Sequence, residues 1–206
     1  MLLSTSPTHE GKNCGVRESA IMNESLTRVP PFRVRDAAPA DIPALMRLKR
    51  LLAEGENSLH AVRASAADWL RDGFGPSAGF CAFVAEVDGA VVGNSIVGMA
   101  TCSRRVITGW NGPVIFLQDL FVEPVHRRQG IARALTARVA ALACELGSPI
   151  VELTVRSDNP AQAFYRKNGF TPLPQCLTYV LAGSELSALA RDDKKDDSQR
   201  KLALAG

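Results

Sequence analysis

The 206-residue sequence has no apolar run approaching the ~18 residues that a membrane-spanning helix needs, which excludes an integral helical membrane protein. Its opening, MLLSTSPTHEGKNC, has no basic residue ahead of its two leucines and lacks the form of a secretory signal. The five cysteines include no CxxC pair; scattered and without a signal, they read as reduced thiols of a cytoplasmic chain, not as a disulfide framework or zinc site. His9, His60 and His126 have no ligand spacing, so no metal is expected. The 24 basic and 21 acidic residues nearly cancel, leaving a net charge of +3, too small a bias to indicate a nucleic-acid partner. A phosphate loop ending in GK[ST] and a GxGxxG fingerprint are both missing, as is any internal repeat.

What is present, 46% hydrophobic and 22% charged residues, suits one globular domain with tails. Residues 1–31 show no sustained periodicity and end in Val29-Pro30-Pro31, and are expected to be a flexible leader. The domain spans 32–182, and 183–206 is a charged tail expected to be disordered, ending in RDDKKDDSQRKLALAG. Within the domain, Phe32–Arg35 alternates as a strand, and Pro39–Glu54 has helical spacing of Ile42, Leu45, Met46, Leu48 and Leu52. A second helix over Ala64–Arg71 is closed by Asp72-Gly73-Phe74-Gly75. Cys81–Val87 and Ala90–Thr101 form a hairpin about Asp88-Gly89. Val114–Val122 is a strand. A helix over Gln129–Leu146 carries the stripe Ile131, Leu135, Val139, Leu142 and Leu146 and buries Cys144. A strand over Ile150–Arg156, a short helix over Pro160–Asn168 and one or two strands in Phe170–Leu181 complete it. The order predicts an α/β chain with a mixed (α+β) central sheet flanked by helices.

The segment that carries chemistry is Leu120-Phe121-Val122-Glu123-Pro124 followed by Arg127-Arg128-Gln129-Gly130-Ile131-Ala132. A strand enters a turn, and a helix opens at a glycine between basic and amide side chains. The first N–H groups of a helix have no intrahelical partner and lie at its positive end, a natural seat for phosphate. Gly130 permits close backbone approach, and Arg127 and Arg128 add charge.

Arg127-x-x-Gly130-x-Ala132 after a strand, with Ala161-Gln162-Ala163-Phe164-Tyr165-Arg166-Lys167-Asn168-Gly169-Phe170 downstream, resembles the GCN5-related N-acetyltransferases (GNAT). Asp72-Gly73-Phe74-Gly75, Val84-Ala85-Glu86-Val87 and Trp110, eight residues before Gln118, resemble its diamine (spermidine/spermine-type) branch. The resemblance covers about 32–182. It implies the acyl-CoA N-acyltransferase fold, acetyl-CoA as co-substrate, a small-molecule amine acceptor, direct attack in a ternary complex, and a homodimer. The strand at Leu120, Phe121 and Val122 would pair with the pantetheine arm. The turn and helix start, Arg127, Arg128, Gln129, Gly130, Ile131, Ala132 and Arg133, would hold the pyrophosphate, and the strand at Ile150–Arg156 would splay away beside them. Tyr165 takes the place of the acid that protonates the coenzyme A thiolate. The loop that contributes an asparagine to the cofactor contains Asp158 and Asn159; here Asp158 stands seven before the tyrosine and Asn159 six.

The branch has a glutamate at the position of Gln118, and an amide cannot act as a general base. Strand periodicity puts Gln118 with Phe116 and Leu120 and turns Asp119 to the other face. Glu56 aligns with an acidic acceptor-binding position, Trp110 is a candidate wall of that site, and Thr108 replaces a second acidic residue. With two carboxylates replaced by neutral groups, spermidine and spermine are expected to be poor substrates and a singly charged primary amine the acceptor. A protein or peptide acetyltransferase and a non-catalytic acyl-CoA sensor remain as alternatives.

Overall fold

Residues 31–88, 95–108 and 112–191 are described by a computed structural model, in two units, up to Arg156 and from Ser157. In the first unit, Phe32–Asp36 (β1) leads to Ile42–Gly55 (α1), whose inward stripe buries Ile42, Leu45 and Leu48. Asp41 anchors the start of α1. Its carboxylate accepts bonds from both Arg35 guanidinium ends (2.6 and 3.0 Å) and from the Ala38 N–H (2.8 Å). Ala66–Phe74 (α2) opens on a capping box in which the Ser65 hydroxyl accepts from Asp68 N–H and the Asp68 carboxylate accepts from Ser65 N–H. It runs to Phe74, past the expected end at Arg71, and Gly73 lies under the Phe80 ring, where an added Cβ would come within 2.6 Å of a ring carbon.

Cys81–Val87 (β2), Ile96–Arg105 (β3), Val114–Val122 (β4) and Ile150–Leu153 (β5) complete a five-stranded sheet of order β1-β2-β3-β4-β5. The first four pair antiparallel and β4–β5 is parallel, so the mixed sheet follows the sequence expectation. The hairpin pairing of β2 with β3 is present, although Gly89 to Asn94, in its turn, lie outside the described residues. One face of the sheet (Ala82, Val84, Met99, Phe121) packs on Ile42, Leu45, Leu48 and Trp69 of α1 and α2.

The other face meets Ile131–Glu145 (α3), which approaches β3 at Gly98. The buried row of α3 is Ile131, Leu135, Val139 and Ala143, a repeat of four that follows the ridge lying flat on the sheet. Leu142 is therefore only half-buried. Leu146 falls beyond the helix and is exposed, and Cys144 is exposed, not buried as expected. Strand β5 ends at Leu153, short of the expected Arg156.

In the second unit, Gln162–Lys167 forms the short helix α4. The strands expected in Phe170–Leu181 do not form. Pro172 and Pro174 remove two ladder donors, and residues 171–181 are all exposed. Residues 183–191 of the expected disordered tail are helical and exposed; the leader up to Pro30 and the tail from 192 lie outside the described residues. Among the described residues, no helix is long and apolar enough to cross a membrane.

Candidate active site

The turn between β4 and α3 is built by two left-handed residues, Arg128 (φ 66°) and Gly130 (φ 87°), the latter the N-cap of α3. No side chain caps the helix, and its first ladder bond runs from Ala134 N–H to the Gly130 carbonyl at 3.0 Å. Every N–H from Arg128 to Arg133 is thus left without a protein acceptor among the described residues. Such a concave run of donors at the positive end of a 15-residue helix is suited to an anion. Gly130 is required here by its φ; a Cβ would meet nothing within 4 Å.

The predicted residues of this turn do different things. Arg127 ties the turn to the strand, its Nε donating to the Val122 carbonyl (2.9 Å) and its guanidinium lying near the Phe121 ring. Arg128 and Arg133 are exposed, whereas Ile131 is buried and offers only its backbone. Ala132 is half-buried. Gln129 donates to the Val125 carbonyl, and its Oε1 is buried without a partner. Beside the turn, the β4–β5 register stops at Leu117 opposite Leu153. The edge of β4 through Leu120, Phe121 and Val122 therefore has no paired strand on that side, which leaves main-chain groups open to an added one.

A cleft of about 420 Å³ opens between α1, α2 and the sheet. Its sheet wall is Thr101, Phe116, Gln118 and Asp119; Trp69 and Phe80, packed edge to face at 5.3 Å, also line it. Thr101 pairs with Asp119 and Cys102 with Leu117, so Gln118 is an extra residue, a β-bulge. The bulge interrupts the period of two. Asp119 consequently joins Gln118 and Phe116 on the cleft wall instead of facing away, and Leu120 is not part of that wall.

The Asp119 carboxylate accepts from Lys49 Nζ (2.5 Å) and Thr101 Oγ1 (2.9 Å). On the rim, Arg71 bonds both Asp68 and Asp72. The Ser65 N–H and hydroxyl, together with Arg71, hold the Asp68 carboxyl down at about 2. Lys49, Thr101, Trp69 and Asp68 were missed from sequence. Lys49 alone left a signal: it stands four residues after Leu45 and three before Leu52, a cation in the apolar stripe of α1.

Other expected residues are not gathered in this cleft. Glu56 is exposed at the C-cap of α1, and Thr108 is exposed; neither is among the residues that line it. Trp110 lies outside the described residues. In the second unit, Tyr165 is half-buried on α4, edge to face with Phe164 (5.4 Å) and Phe170 (5.6 Å). Asn159 Oδ1 accepts from Ala161 N–H at 2.9 Å and so shapes the entry to α4, while Asp158 is exposed.

The acetyltransferase (GNAT) domain family matches residues 78–172. The mouse thialysine N-epsilon-acetyltransferase is 33% identical over 165 residues, covering 77% of this chain and 96% of that protein. The human spermidine/spermine N(1)-acetyltransferase-like protein 1 is 34% identical over 119 residues, 57% of this chain but 17% of that longer protein. Among solved structures, an aminoglycoside N-acetyltransferase in complex with CoA superposes with a TM-score of 0.59 at 21% identity, covering 77% of this chain and 99% of the other, a likeness of fold.

Proposed function

This chain belongs to the GNAT acetyltransferases, and from that premise we propose how its surface is divided between two substrates. It is an acetyl-CoA-dependent N-acetyltransferase acting on amines. The N–H groups of Arg128 to Arg133 hold the coenzyme A diphosphate, with Arg127 fixing the turn and Arg128 and Arg133 adding charge. The open edge of β4 at Leu120–Val122 receives the pantetheine arm. The observation that carries this reading is the unbroken run of unpartnered N–H groups at the start of α3.

The acceptor enters the cleft beside Gln118. Acetyl-CoA supplies an activated thioester; the chain must present a neutral amine to it and protonate the departing sulfur. An alkyl ammonium of pKa about 10.4 costs roughly 4–5 kcal/mol to deprotonate at pH 7. Gln118 cannot take that proton, and Asp119 is engaged by Lys49 and Thr101, so the proton leaves through cleft water while the Gln118 amide orients the nitrogen. The nitrogen bonds to the acetyl carbon as the C–S bond breaks; the sulfur takes the Tyr165 hydroxyl proton, and the proton that the acylated nitrogen sheds passes to solvent, from which the phenolate is reprotonated. Tyr165 has this role from its place in the family motif. The neutral Gln118, and the Asp119 carboxylate already engaged by Lys49, support an acceptor with a single net positive charge, rather than spermidine or spermine. A homodimer and a cytoplasmic location, implied by the resemblance and the reduced thiols, belong to the same proposal.

Calorimetry with coenzyme A, followed by thiol release from acetyl-CoA against amino acids, diamines, polyamines, aminoglycosides and short peptides, tests this reading. Uptake of the nucleotide and release with small monoamines or amino acids is expected. No uptake overturns the cofactor site, and spermidine as the best acceptor overturns the acceptor reading.

A further inference from the structure

Lys49 is an unusual residue for the apolar side of α1. Its neighbours Leu45 and Leu48 are fully buried, yet its side chain is one-third exposed and carries an ammonium to the cleft wall. There it contacts Asp119, whose side chain is only 13% exposed. An ammonium on that carboxylate is the contact a cationic acceptor would otherwise make, so the protein already fills the acidic position with its own cation. Of the three donors on Lys49, one is used on Asp119, and the others can meet a second acceptor group. Arg63 lines the same cleft, is exposed, and makes no ion pair among the described residues. A polyamine entering here meets two cations and finds Asp119 taken by Lys49 and Asp68 and Asp72 taken by Arg71, whereas a carboxylate finds two donors.

Resting on the reading of this cleft as the acceptor site, we propose that Lys49 is its specificity determinant. It withholds Asp119 from polycations and, with Arg63, receives the carboxylate of the acceptor. Amino acids with a side-chain amine are therefore preferred to the diamines that lack the carboxylate. Lysine against cadaverine and ornithine against putrescine are matched pairs differing only in that group.

The test is kcat/KM for both pairs with the wild-type protein and with Lys49→Met and Lys49→Arg, with coenzyme A affinity measured to show that each variant is folded. The wild type is expected to favour the amino acid by about tenfold or more, the worth of one partly buried charge contact. Lys49→Met is expected to remove that preference, chiefly through KM, and Lys49→Arg to retain it. An equal or reversed wild-type ratio overturns the proposal without any variant. So does a ratio that survives in Lys49→Met or is lost equally in Lys49→Arg. Turnover of no amine at all, with coenzyme A still bound, overturns instead the acceptor reading beneath it.

Discussion

A glutamine accepts and donates hydrogen bonds but takes no proton at neutral pH, so Gln118→Glu adds a base to the cleft without adding bulk. Retained or increased kcat is expected in the thiol-release assay; a large loss identifies an amide contact that the reaction needs. Tyr165→Phe is expected to lower kcat by about 10²-fold or more while coenzyme A affinity changes little, as removal of a general acid does. Equal kcat in the two proteins removes the acid role. Cys81 is exposed and faces Cys102 across β2 and β3. The Cys102 thiol hydrogen-bonds to it and lowers its pKa to about 6. Its alkylation by iodoacetamide should reach half its limiting rate near pH 6, and Cys102→Ala should move that midpoint upward. A wild-type midpoint near the ordinary ~8.5 contradicts the hydrogen bond. None of this pairing was legible in a linear pattern, because Cys81 and Cys102 meet only through strand register.

Elements decide how closely such residues can be brought together. A Cβ on Gly98 would lie 3.1 Å from the Phe121 carbonyl oxygen and 3.2–3.3 Å from Ile131 and Leu135, so glycine sets the seat of α3 on β3. Gly98→Val should cost about 1–3 kcal/mol by overpacking, read as a lower urea midpoint at unchanged slope. An unchanged midpoint means that α3 shifts without cost. The strands β1 to β4 and the helices α1 and α3 were readable because each holds one period over several residues. The bulge at Gln118 was not, since nothing in FLQDLF marks an extra residue, and its omission turned Asp119 to the wrong face. The 170–181 segment failed for the opposite reason: its apolar residues suggest a strand, but prolines 172 and 174 remove the donors a ladder needs.

For the whole molecule, acid stability follows from the cluster joining β1, the start of α1 and β2. Arg35 bonds both Asp41 and Glu86, and its guanidinium holds the buried Asp41 carboxyl below the usual range. A depressed carboxylate stabilises the fold above its unfolded pKa of ~3.9, and that stability is lost as pH falls through the folded value. Asp41→Asn should therefore cost roughly 2–4 kcal/mol at pH 7, and the deficit should shrink as pH drops below about 4. A deficit in the urea midpoint that stays constant to pH 2 contradicts this assignment. The mixed sheet, the helix opening at Gly130 and the resemblance that points to acetyl transfer were legible in the linear chain, because hydrophobic periodicity, a glycine set between basic and amide residues and a contiguous motif are all local. Which charges line the proposed acceptor cleft came from packing alone. Lys49, Thr101 and Asp119 lie on α1, β3 and β4, and an ion pair between residues seventy positions apart exists only after packing has closed the distance.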